Sequence, residues 1–82
     1  MSDAKKHMQV VRKLGCLICG SPASAHHIRA ERIKSDWLTI PLCYEHHQGD
    51  FSIHMAKQQF ESIYGTELHL LAKTISLLPI KY

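Results

Sequence analysis

Eighty-two residues, 45% of them apolar and together carrying a formal net charge of +3, make a single globular domain and leave no room for a second. So short a chain buries only a modest core, and a metal staple, disulfides or oligomerisation is expected to help it fold. The longest apolar stretch, residues 68–80, is broken by His69, Lys73, Thr74 and Ser76, which excludes a membrane span. There is no internal repeat or low-complexity linker, and the opening MSDAKKHMQVV lacks the apolar run of a secretory signal. A cytoplasmic protein is expected. The mild positive charge permits a nucleic-acid partner without requiring one.

In chain order, residues 4–14 (AKKHMQVVRKL) suit either a short helix or a run into a strand at 10–14. Gly15 and Gly20-Ser21-Pro22 bracket Cys16-x-x-Cys19, as a knuckle turn with inward sulfurs requires. Residues 25–28 and 38–42 predict two short strands, joined by a charged loop over 29–36 with no evident period. From Cys43 the polar YEHHQGD reads as a turn, closed by Gly49-Asp50, and Asp50 or Ser52 can cap a helix beyond it. That helix is predicted over 53–64, with Ile53, Ala56, Phe60 and Ile63 on one face and Gly65 as its terminator. A second helix starts at Thr66 with Glu67 in its first turn, a stripe of Leu68, Leu71, Ile75 and Leu78, and Pro79 beyond its end. Both stripes are read as core faces. The fold class is therefore α+β: a zinc knuckle, two short strands, then helices. It forms one domain over 1–82, with a motif core at 16–65 and a C-terminal helix at 66–78.

The chemistry lies in the three cysteines and seven histidines. Three cysteines cannot all pair as disulfides, and their spacing suits metal better than oxidation. Cys16, Cys19, Cys43 and His46 give C-x2-C-x23-C-x2-H, in which each short pair grips a tetrahedral zinc from one turn. A competing partition puts His47 in place of His46; His46 is preferred because it repeats the spacing of the first pair.

His26, His27, His47 and His54 remain, more than one zinc can use. Adjacent residues on a strand face opposite ways, but the twist at a strand end can bring both to one site. The His26-His27 pair then suits a division of labour in which one imidazole holds a metal and its neighbour accepts a proton near neutral pH. His7 and His69 have no assigned role.

C-x-x-C, then AHHIR, then a Pro-Leu-Cys-x-x-His-His segment and a helix together resemble the HNH (ββα-metal) nuclease family. More narrowly, SDWLTIPLCYEHHQGDFSIH followed by FESIYG is similar to the Ref-type recombination-enhancement nucleases of phages and prophages. The resemblance spans residues 16–65 and implies a small zinc-stapled, treble-clef-like ββα-metal domain with flanking helices. It assigns His26 as a ligand of the catalytic metal, His27 as general base, and His47 and His54 as further ligands. Leu38 stands where the family often carries an Asn that orients the base. Asp36 or Thr39 can substitute, and Asp36 is preferred because a carboxylate can hold an imidazole N–H and raise its basicity. The implied activity is a DNA endonuclease or nickase of phage recombination, leaving 5′-phosphate and 3′-hydroxyl ends. In a phage or prophage setting the compartment would be the bacterial host cytoplasm.

One divalent ion in such a site stabilises charge on the phosphoryl and leaving oxygens. An all-imidazole set favours Mn²⁺, Ni²⁺, Co²⁺ or Zn²⁺, while Mg²⁺ can work with water and phosphate filling its shell. Arg29, Arg32 and Lys34 follow the His-His pair and suit phosphate contacts that position without reading sequence; Arg12 and Lys13 can extend that footprint. Trp37 can stack on a base, although a lone Trp is more often core. Ref-type members act with RecA filaments, which makes such a filament a candidate partner. Their long basic N-terminal arm has no counterpart beyond residues 1–15 here. Two readings compete with the nuclease: a non-catalytic zinc-binding nucleic-acid module, and a zinc-stapled protein adaptor. Neither accounts for four further histidines.

Overall fold

The computed structural model describes residues 2–30, 32–50 and 52–79; the side chains of Arg29 and Ala30 lie outside the described set. Helix α1 (Asp3–Lys13) begins at Ser2, whose hydroxyl accepts from the Lys5 amide at 3.3 Å. Asp3 in its first turn and Arg12 and Lys13 in its last complement the helix dipole. Met8 and Val11, one turn apart, are its buried residues. Gly15, at φ 79°, ends it with its amide on the Arg12 carbonyl. The strand alternative at 10–14 is thereby excluded.

Strands β1 (Ser24–Ala30) and β2 (Ile33–Leu42) pair antiparallel. Both run further than the predicted 25–28 and 38–42, and most of the expected loop over 29–36 is sheet. The reason is a wide bulge that hides the strand period. His27 pairs with Thr39 and Arg29 with Lys34, so residues 35–38 all stand opposite Ile28. A bulge re-aims side chains, and this one carries Asp36 and Trp37. Arg32, at φ 71°, turns the hairpin in a conformation that costs an L-residue about 1–2 kcal/mol.

The polar segment read as a turn forms a short helix, α2 (Tyr44–Gln48), started by Cys43 and closed by the Gly49 amide on the Glu45 carbonyl. A Cβ at position 49 would lie 2.5 Å from that oxygen, so the approach requires glycine. Helix α3 (Lys57–Tyr64) starts later than predicted. The Ile53 amide bonds back to the His46 carbonyl, and Ser52 caps a separate turn by accepting from the Met55 amide. Backbone angles of −140° and 60° at Ala56 separate that turn from α3.

Helix α4 (Glu67–Leu77) is capped by the Thr66 hydroxyl, which accepts from the His69 amide. Its buried residues are Leu70 and Thr74, not the predicted stripe: Leu68 is 61% and Ile75 49% exposed. The inward face is the 67, 70, 71, 74 series, one residue out of phase with the expectation. Thr74 satisfies its hydroxyl on the Leu70 carbonyl at 2.8 Å. In α3 the same slip leaves Ile63 70% exposed while Phe60 is buried. Ile28, Ile40, Leu42, Ile53, Phe60 and Leu70 form the core together with Cys16 and Cys43. The fold is a small α+β domain built on one two-stranded sheet. Among the described residues no helix is long and apolar enough to cross a membrane.

Candidate metal centres and their proton-accepting pair

Cys16 and Cys19 come from the turn after α1, and Cys43 and His46 from the start of α2. Their ligand atoms all lie within 4.8 Å of one another. Cys19 and Cys43 sulfurs are 3.6 Å apart, and His46 Nδ1 lies 3.1 Å from Cys43 Sγ and 3.7 Å from Cys16 Sγ. Zinc–sulfur bonds near 2.3 Å in a tetrahedron separate sulfurs by about 3.8 Å, so the spacing fits. The Ile18 amide points at Cys16 Sγ at 3.4 Å, and the Gly20 amide closes the turn on the Cys16 carbonyl. The Ser21 hydroxyl and amide stabilise the Cys19 thiolate and bring its pKa down to about 6, while burial pushes the Cys43 thiol up. A Cys3His set compatible with zinc is therefore present, and it uses His46 rather than His47.

His47 turns the other way, towards β1. One ring nitrogen each of His26, His47 and His54 lies within 4.8 Å of the others, and the three ring centroids are 4.7 to 4.9 Å apart. His26 sits on β1, His47 on α2, and His54 in the turn before α3 rather than on the predicted helix. Burial holds the His26 imidazole below its ordinary pKa despite the opposing pull of Glu67. For His47, burial and then the neighbouring His26 and His54 bring it down to about 4. Both rings are thus neutral at pH 7, the state a metal needs.

Two hydrogen bonds decide which nitrogens are free. His26 Nε2 lies 3.0 Å from Glu67 Oε2, and a neutral ring must donate there, which leaves Nδ1 for a metal. Ser24 Oγ donates to the Leu42 carbonyl and so accepts from His47 Nδ1, 3.3 Å away, leaving Nε2. Burial pushes the Glu67 carboxyl up, but hydrogen bonds from His26 and Lys57 outweigh it and hold the group below the usual range. Lys57 Nζ is 3.1 Å from Glu67 Oε1. Such partners fix ring orientation at metal sites. Ser24 and Glu67 have no place in the sequence-level assignment. Glu67 was legible only as a first-turn charge, and its register with Leu70 and Thr74 was the available signal.

His27 lines the same cavity of about 290 Å³ with His26, His47, His54 and Lys34. Its Nε2 is 2.8 Å from Asp36 Oδ1, and that hydrogen bond, with Lys5 and Lys34 nearby, holds the Asp36 carboxyl below its usual range. Thr39, the other candidate, is buried and donates to the Asp36 carbonyl instead. The bulge therefore places a charged carboxylate against one face of the pair while Nδ1 of His27 stays available. Lys34 reaches the cavity and Arg32 is exposed at the hairpin turn; the Arg29 side chain lies outside the described residues. Trp37 is not core: it is 51% exposed.

A family model described as "Protein of unknown function (DUF968)" matches residues 1–78. No curated protein matches the chain, and no solved structure does.

Proposed function

We propose that this chain, which belongs to the DUF968 family, is a metal-dependent DNA endonuclease or nickase of the HNH (ββα-metal) type. One observation carries the reading: three histidines converge within ligand range, and His27, hydrogen-bonded to Asp36, lines the same cavity. A structural zinc explains Cys16, Cys19, Cys43 and His46 but leaves this second cluster without a purpose.

In the proposed reaction His26 Nδ1, His47 Nε2 and one nitrogen of His54 would hold a divalent ion. That ion would stabilise charge on the phosphoryl oxygens and the leaving 3′-oxygen. His27 Nδ1 accepts the proton of the attacking water, and the Asp36 carboxylate holds Nε2–H and stabilises the imidazolium that forms. The water oxygen bonds to phosphorus as the bond to the 3′-oxygen breaks, and that oxygen takes a proton from solvent, giving 5′-phosphate and 3′-hydroxyl ends. Lys34, with Arg29 and Arg32, contacts backbone phosphates without reading sequence. Phage recombination together with a RecA-type filament is the proposed setting, in the host cytoplasm.

Metal content separates this reading from its rivals. Protein dialysed against Mn²⁺ should carry two metals per chain, one zinc and one manganese. A non-catalytic zinc module or adaptor should carry one. Cleavage of single-stranded circles with and without a RecA-type filament then tests the partner: activity only with the filament supports the recombination setting, and equal activity removes it.

A further inference from the structure

The bulge of β2 presents two consecutive side chains to opposite tasks. Asp36 meets His27, and Trp37, the only tryptophan of the chain, leaves half its surface in solvent. A small domain short of core would gain by burying that ring, yet it buries Phe60 and Leu70 instead. Trp37 is not loose. Its amide donates to Ser35 Oγ at 3.2 Å, and the His7 ring of α1 stands against it with centroids 4.9 Å apart and a 37° tilt.

Lys34 lines the trihistidine cavity, and both Lys5 and Lys34 act on the Asp36 carboxyl next to Trp37. A held, half-exposed indole offers a π-face, and Lys5 and Lys34, near enough to act on the neighbouring Asp36, can neutralise backbone phosphates. In duplex DNA the base faces are covered by their neighbours; an unpaired base presents one.

We infer that Trp37, backed by His7 and next in the chain to the Asp36 that holds His27, is a stacking platform for an unpaired base, so that the DNA entering the trihistidine cavity is single-stranded beside the scissile phosphate. The inference rests on the nuclease reading above and names the substrate class it takes.

Because Trp37 is the sole tryptophan, its fluorescence reports this site alone. The full chain, with no divalent ion added, is titrated with a short oligothymidylate, an abasic strand of equal length and a blunt duplex. Oligothymidylate should quench the fluorescence saturably, with the abasic strand binding about 5- to 150-fold more weakly. In anisotropy measurements Trp37→Ala should weaken oligothymidylate binding by about the same factor while duplex binding changes less than about twofold. Trp37→Phe, which keeps a ring, should retain most of the affinity, and this arm decides the matter if the alanine variant fails to fold. Equal binding of the abasic strand and oligothymidylate, or a phenylalanine variant as weak as alanine, would overturn the platform. Duplex binding with no response at Trp37 removes the platform alone. No binding of any probe removes the nuclease reading and the platform with it.

Discussion

Glu67 and Asp36 each take one ring nitrogen of the His26-His27 pair, and the two hydrogen bonds commit neighbouring imidazoles to different work. His26 is buried, neutral and turned to the other two histidines, whereas His27 lines the cavity, is held by Asp36 and is partly exposed. Losing a partner of this kind at a metal site costs about 10- to 100-fold in affinity or activity. Glu67→Ala is therefore expected to weaken Co²⁺ or Mn²⁺ binding at the trihistidine site by that factor, with the tightly held zinc unchanged; calorimetry with zinc-loaded protein measures it. An unchanged affinity would show that Glu67 serves only its ion pair with Lys57.

The same burial sets a pH dependence. In the fold His26 and His47 lie below 6.5, His47 at about 4, while in the unfolded chain both take up protons near the ordinary value. Between those limits the unfolded state binds more protons, so stability is fully present above pH 6.5 and falls as the pH drops through the window. Urea midpoints of zinc-loaded protein should decline on that side of neutrality, and less steeply in His47→Ala. The variant comparison separates this effect from acid loss of cysteine-bound zinc.

At the level of elements, the helices show why part of the fold was hidden in the sequence. Taking the apolar residues alone, Leu68, Leu71, Ile75 and Leu78 make the obvious stripe of α4. The helix instead faces inward through Glu67, Leu70, Leu71 and Thr74, because Glu67 has a buried histidine to meet and Thr74 satisfies itself on the preceding turn. A charged residue on the inner face defeats a reading based on hydrophobicity. Leu70→Ala should accordingly cost about 2–5 kcal/mol of stability and Leu68→Ala within about 0.5 kcal/mol; chemical denaturation of the two variants checks the register directly. Equal losses would restore the apolar stripe. The bulge was equally illegible, since three extra residues on β2 erase the two-residue period that marks a strand. The C-x2-C and C-x2-H pairs were legible because ligand spacing in a tight turn is local. The convergence of His26, His47 and His54 and the contact of Asp36 with His27 join separate elements, and only the family resemblance pointed to them. Their carboxylate and hydroxyl partners, Glu67 and Ser24, were not legible, because they depend on tertiary register.

Across the whole molecule the two clusters are linked through α2, which gives His46 to one and His47 to the other. The Cys3His set also abuts the core through Cys16 and Cys43, so zinc there would hold the knuckle, the end of β2 and α2 together. Structural zinc binding is folding energy, about 10–16 kcal/mol in small peptides. Cys19→Ala is therefore expected to abolish cooperative folding, visible as a lost thermal transition by circular dichroism. Mild chelation of the wild type should empty the trihistidine site first and leave the fold intact. Loss of both metals in one step, with unfolding, would mean that the clusters are not independent.

The proposed endonuclease stands or falls on its proton acceptor. Single-stranded DNA circles, carrying a RecA-type filament, are incubated with Mn²⁺ and either wild-type protein or His27→Ala, after both have been shown to hold equal metal and to melt alike. Linearised circles are predicted with the wild type, none with EDTA, and at least a ~100-fold slower rate in the variant. Cutting by His27→Ala at the wild-type rate would contradict the proposal.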